Sequence, residues 1–229
     1  MEDFQVKFYT NFIKDDRYMY LVKGLGNTLA ITFLAVLLGI FLGFLVAIVR
    51  STYDKTGKGK LPNMICRLYL TVIRGTPMMV QLMIMCYVVF GKYNVSKLIV
   101  TTLAFGINSG AYVAEIVRSG IMSIDPGQLE AGRSLGFSYS QTMWHIIMPQ
   151  TFKNVLPALA NEFIVLLKET SVCGYIGMMD LTRGGDIIRS RTYEPFMPLI
   201  GVALIYLVMV MAFSALVGKL ERRLRTSER

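Results

Sequence analysis

The sequence has a single histidine, His145, and only three cysteines, Cys66, Cys86 and Cys173. One imidazole leaves little material for a nucleophile-and-base pair. Three thiols in apolar surroundings, without ligand spacing, support neither a disulfide framework nor a zinc site and read as packing residues. No Gly-x-x-x-x-Gly-Lys-Ser/Thr phosphate loop occurs, so the chain is not expected to hydrolyse ATP itself. Charge is scarce as well: charged residues make up 17% of the 229, hydrophobic ones 54%. With a mean hydropathy of +0.51, that balance is too apolar for an ordinary soluble domain of this size and belongs in a bilayer. The first twenty residues carry Glu2, Asp3, Lys7, Lys14, Asp15, Asp16 and Arg17, which leaves no uninterrupted apolar core for a cleavable signal peptide. The mature chain is expected to start near Met1. No internal repeat or low-complexity linker is evident, and one domain over residues 1–229 accounts for the length.

The apolar runs define an all-α integral membrane protein with five spans. Thr28 to Val49 is 22 residues without a charge, enough to cross a hydrocarbon core of about 30 Å. Further spans are expected at 75–90, 98–117, 156–178 and 196–218. Of these, 75–90 is short, and the Gly75-Thr76-Pro77 break at its head implies tilting, a broken helix or entry of the preceding helix into the membrane. Residues 1–27 mix four basic and four acidic side chains with Phe4, Phe8, Phe12 and Tyr18 and predict an amphipathic helix on the membrane surface. The net charge of +9 is explained by loops that collect Lys and Arg on the cytoplasmic side. With 50–75, 118–153 and 219–229 inside there are 14 such residues, against 9 outside, giving N-out and C-in.

Asp125 to Pro149 is the longest polar stretch between spans. Asp125 followed by Pro126 predicts a helix start, Gly136 a stop, and Ser138 with Gln141 a capping box for a second helix ending at Pro149. A cytoplasmic helical hairpin results. It can be a coupling element held by a soluble partner or a plain loop. A helix-turn-helix is disfavoured, because Arg133 is the one basic side chain with a phosphate-contacting charge in 126–148.

Among charges inside spans, which usually face a cavity or partner, Glu115 and Arg118 are three apart and suited to a local ion pair or a substrate role. On the fourth span Asn161 and Lys168 share one face, and Glu162 and Glu169 the neighbouring one. A wall with both signs suits the carboxylate and ammonium of a free amino acid, and equally suits subunit packing. Gly75 and Pro77 fit either a cavity-lining break or a packing kink.

Glu130-Ala131-Gly132, then Gly136, then Ile146, Met148 and Pro149 resemble the cytoplasmic EAA loop of permease subunits in bacterial ABC importers. Gly132 replaces an alanine and Met148 a leucine. Arg74-Gly75-Thr76-Pro77 with Gln81, Ser109 to Tyr112 with Glu115, and Asn161 with Lys168, Thr170 and Ser171 are similar to blocks of the polar amino acid subfamily. The resemblance implies a multi-pass permease of the bacterial cytoplasmic membrane that works by alternating access. It implies two ATPase subunits, which carry the ATP and Mg, and a second permease copy or paralogue. It further implies an extracytoplasmic amino-acid-binding protein and surrounding lipid, with no cofactor on this chain and no nucleic acid. Gln128, Glu130, Ala131, Gly132, Ser134, Leu135 and Gly136 would contact the ATPase. Thr76, Gln81, Asn108, Tyr112, Glu115, Asn161, Glu162, Lys168 and Thr170 would line the substrate pathway. An ATP-independent carrier or channel is the alternative, separated by whether an ATPase co-purifies.

Overall fold

The computed structural model describes residues 2–226, and these are helical without a strand. In chain order the helices are α1 (Glu2–Phe8), α2 (Tyr18–Thr56), α3 (Lys60–Arg74), α4 (Met78–Met83), α5 (Lys97–Met122), α6 (Pro126–Ser134), α7 (Tyr139–Thr142), α8 (Met148–Glu169), α9 (Leu181–Thr192) and α10 (Phe196–Thr226). Among the described residues three helices are long and apolar enough to cross a membrane: Tyr18–Thr56, Lys97–Met122 and Phe196–Leu224. They contain the apolar runs 28–49, 98–117 and 196–218. The expected second span is a six-residue α4 continuing into a six-residue π-helical turn at Ile84–Val89. It is too short to cross alone at about 1.5 Å per residue. The expected fourth is α8 followed by a 3-10 turn, Thr170–Ile176, and its Asn161, Glu162, Lys168 and Glu169 lower its apolarity.

Two expectations are corrected. The surface helix does not extend to residue 27: Asp15 and Asp16 adopt positive φ and break the chain, and 18–27 join the 39-residue α2. Short polar Asp side chains tolerate that backbone, and Arg17 fastens the turn by donating to Thr10 O at 2.7 Å and Asp15 Oδ2 at 2.9 Å. Phe4, Phe8 and Phe12, in ring contact at four-residue spacing with the first pair stacked and the second tilted, line an apolar groove with Phe196, Ile200 and Leu204. The second hairpin helix does not end at Pro149 either. Met143–Ile147 is wound as a π turn, with Met148 N–H donating to Met143 O. The wider turn shifts the carbonyls out of the register in which Pro149 would owe an α-type bond, and the helix runs on into α8.

The chain forms two compact units: residues 1–35, 77–105 and 163–216, and residues 36–76, 106–162 and 217–229. In the first unit, Leu21, Leu181, Ile188 and Val202 form the core with Phe12 and Tyr206 packed on it. Gly24 and Gly184 permit α9 to lie against the start of α2, since a Cβ at either would come within 2.5 Å of backbone oxygen. Buried Asp180 caps α9 by accepting from Thr182 N–H at 3.0 Å and Arg183 N–H at 3.3 Å. Burial pushes its carboxyl above the ordinary range against those two bonds.

In the second unit α2 and α5 meet through glycines. A Cβ on Gly39 would reach Ser109 Oγ at 2.9 Å, one on Gly106 would reach Leu38 at 2.6 Å, and one on Gly43 would collide with Val113. Small residues at four-residue spacing let helix backbones approach closely. Contacts advance together along both helices, Gly39 to Ser109, Gly43 to Val113, Arg50 to Glu115 and Asp54 to Arg118, so α2 and α5 run parallel. Helix α8 runs against α5, pairing Glu162 with Ser109 and Val155 with Gly120. Ile121, Ile124, Met143, Ile147, Val155 and Leu159 make the core between them.

Candidate functional site

The hairpin is built by its own backbone chemistry. Asp125 Oδ1 accepts from Gly127 N–H at 2.7 Å and opens α6. Gly136, at φ +89°, closes it. Gly136 N–H donates to Arg133 O at 3.0 Å, and Phe137 N–H to Gly132 O at 3.1 Å, which satisfies carbonyls at the helix end. Ser138 and Gln141 then form a reciprocal capping box, Gln141 N–H to Ser138 Oγ and Ser138 N–H to Gln141 Oε1. The two arms lock where Gly132, buried, sits against Thr142 and Ile146. Around that contact Gln128, Glu130, Ala131, Ser134, Leu135 and Gly136 are all exposed. Leu135 is 78% exposed and Trp144 65%. Leu135 stands at the turn itself, whereas Trp144 lies in the π-wound segment Met143–Ile147 and lines an apolar groove with Leu37, Ile40, Phe41 and Phe44 of α2.

The expected pathway residues divide between the units. In the second, Ser109 Oγ donates to Glu162 Oε1 at 3.0 Å, tying α5 to α8. Asn108 is buried, Asn161 exposed and Glu162 half-buried on the same stretch. Thr76 is exposed, its hydroxyl donating to Val72 O at 2.8 Å. The expected local pair of Glu115 with Arg118 is not made. Glu115 Oε1 instead accepts Arg50 at 3.2 Å and faces Arg74 at 3.6 Å, while Arg118 pairs with Asp54 at 2.9 Å. Parallel packing brings one oppositely charged position of α2 to each of these side chains, Arg50 to Glu115 and Asp54 to Arg118, and these outcompete the neighbour on the same helix. Arg74 also lies over the Tyr112 ring, 5.6 Å from its centroid. In the first unit, Gln81 is half-buried, Lys168 exposed and Thr170 buried, with its hydroxyl donating to Leu167 O at 2.8 Å. Sequence reasoning missed Arg50 and Asp54 as partners and the Ser109–Glu162 bond. The opposite charges four apart on α2, matching those three apart on α5, were the available signal.

On α9, Asp186 accepts from Arg183 at 2.7 Å and from Arg189 at 2.6 Å. The Arg189 hydrogen bond, with the charges of both guanidiniums, holds its carboxyl below the usual carboxylate range. No cluster of three or more His, Cys, Asp or Glu that could hold a metal occurs among the described residues.

Residues 35–226 match the family described as "binding-protein-dependent transport system inner membrane component". The chain belongs to that family. Its members are membrane permease subunits of ABC transporters and not themselves enzymes, so ATPase and binding-protein partners go with this inner membrane component. It is 35% identical over 215 residues to the arginine transport system permease protein ArtQ of Bacillus subtilis, covering 91% of this chain and 94% of that one. To the glutamine transport system permease protein GlnP of Escherichia coli it is 33% identical over 208 residues, covering 90% and 93%. A crystal structure of an amino acid ABC transporter with histidines superposes with a TM-score of 0.83 at 44% identity, over 93% of this chain and 98% of that one.

Proposed function

We propose that this permease moves a polar amino acid inward across the bacterial cytoplasmic membrane by alternating access, driven by two ATPase subunits docked on residues 126–149. The observation that carries the reading is the capped hairpin with Leu135, Glu130 and Gly136 exposed at its turn. Near-full-length similarity to arginine and glutamine permeases supports the substrate class.

The five-span, N-out and C-in arrangement is part of the proposal. Parallel α2 and α5 require an odd number of crossings between them, which the broken segment 60–89 supplies. Antiparallel α8 brings the basic loop after α2 and the hairpin to one end of the second unit, which supports a common cytoplasmic side. The chain works as one permease domain in which α2, α5, α8 and α10 each contribute to both compact units. A second permease, identical or a paralogue, completes the cavity, and an extracytoplasmic binding protein delivers the substrate. Asn108, Tyr112, Asn161, Glu162, Gln81, Lys168 and Thr170 line the pathway, with Thr76 at its break and Glu115 toward its inner end. ATP and Mg stay on the ATPase.

The test is co-purification. The wild-type chain is expected to retain its ATPase subunits through detergent extraction. A Leu135→Asp variant, which places charge on an exposed position and disturbs no core contact, is expected to insert normally and lose them. Unchanged retention by that variant would overturn docking at the hairpin.

A further inference from the structure

Glu115 does not exhaust the positive charge gathered around it. Arg50 of α2, Arg67 and Arg74 of α3, and Glu115 of α5 line one open cleft of about 600 Å³ together with Leu70, Thr71 and Gly75. Three guanidiniums therefore line a cleft that holds one carboxylate, and the two ion pairs to it, from Arg50 and Arg74, fall on the same oxygen, Oε1. Arg67 makes no ion pair or hydrogen bond among the described residues. Arg50 is only 13% exposed, and its Nε is buried with no hydrogen-bond partner. A guanidinium offers five donors in a rigid fork suited to planar or tetrahedral oxyanions.

We infer that this cleft is a binding site for a phosphate-class anion, filled in the membrane by the headgroup of an anionic phospholipid. The neighbouring face of α3 favours the lipid source. Leu61, Met64, Ile65, Leu68 and Val72 are all strongly exposed and recur at helical spacing as an apolar stripe whose centre lies about a third of a turn round α3 from the arginine positions 67 and 74. Acyl chains could lie along that stripe while the phosphate enters the cleft. Basic pockets between helices on the cytoplasmic side take acidic headgroups in this way. The leaflet assignment rests on the N-out, C-in reading above; the anion chemistry does not.

The test is native mass spectrometry of the purified full chain titrated with phosphatidylglycerol, with phosphatidylcholine, or with inorganic phosphate. Phosphatidylglycerol is expected to bind in preference to phosphatidylcholine. An Arg67→Gln variant, which loses no internal ion pair, should weaken that binding about fivefold, the worth of one basic side chain at an anionic surface. Arg67→Lys should keep most of it, and Lys92→Gln, distant in sequence and outside the cleft lining, should leave it unchanged. If inorganic phosphate displaces the lipid, the cleft takes the bare anion from either source; if it does not, the headgroup needs its acyl chains. Equal binding of phosphatidylglycerol by wild type and Arg67→Gln, with no response to phosphate, would overturn the site. None of these readouts depends on transport or on the ATPase, so failure here leaves the permease reading untouched, and failure of that reading leaves this one.

Discussion

Gly132 stands where the motif it resembles carries alanine, and its surroundings leave no room for a methyl group. A Cβ there would come 2.5 Å from Thr142 Cγ2 and 2.9 Å from its Oγ1. Thr142 is fully buried and its hydroxyl donates to Ser138 O at 3.0 Å, so it has little freedom to move away. Glycine at 132 and threonine at 142 read as a matched pair across the two arms. Gly132→Ala is expected to destabilise the hairpin by about 1–3 kcal/mol, the usual cost of overpacking. Thr142→Ala on the same chain should recover most of that loss. Limited proteolysis of the hairpin in single and double variants measures the coupling; simple addition of two losses would show that the contact does not set the packing. Gly136 differs, because a Cβ there would meet nothing within 4 Å. Its requirement is backbone conformation, and Asn, which tolerates positive φ, should substitute with little loss.

At the scale of elements, α9 carries its own pH response. Asp186 has its carboxyl held below the ordinary range by Arg189 and Arg183. A depressed folded value stabilises above the unfolded carboxylate value, about 3.9, and that contribution fades as pH falls through the folded value. Because the carboxyl is 31% exposed and its arginine partners 44% and 46%, solvent screens the pairs and the effect is expected at about 0.2–1 kcal/mol. Hydrogen exchange in α9, corrected for intrinsic rates, should quicken below about pH 4, and Asp186→Asn should show the quickened rate already at neutral pH. A wild-type helix indifferent to acid would refute the pairing.

Much of the element layout was legible because it rests on local chemistry. Asp125-Pro126, Gly136 and Ser138 with Gln141 are caps whose partners lie within a few residues, and they form as their spacing predicts. Long uncharged runs likewise sit within α2, α5 and α10. What was not legible depends on distant partners or on rarer backbone states. Pro149 reads as a stop unless a π turn precedes it. Asp15 and Asp16 read as ordinary surface charge, not as the positive-φ break that frees 18–27 for α2. Glu115 meets Arg50 from 65 residues away. The glycines at 39, 43, 106 and 110 become a seam only when α2 and α5 are known to lie together.

For the whole molecule, the proposed pathway and the proposed coupling hairpin are expected to have separable jobs. Glu162 and Lys168 belong to the proposed pathway. Glu162→Gln and Lys168→Gln are expected to lower amino acid uptake about tenfold, equivalent to ~1.4 kcal/mol, while the ATPase subunits stay bound. Uptake kinetics unchanged in both would make those side chains structural. The hairpin should behave in the opposite way, transmitting ATP-driven motion without touching substrate, as a rigid-body switch requires. The most direct test is ATP-dependent amino acid uptake by proteoliposomes containing the permease, its ATPase subunits and binding protein, comparing wild type, Gly136→Asn and Gly136→Trp. Uptake is expected in the wild type, near-normal uptake in Gly136→Asn, and none in Gly136→Trp even though that chain inserts. Full ATP-driven uptake by Gly136→Trp would contradict the coupling role of the hairpin.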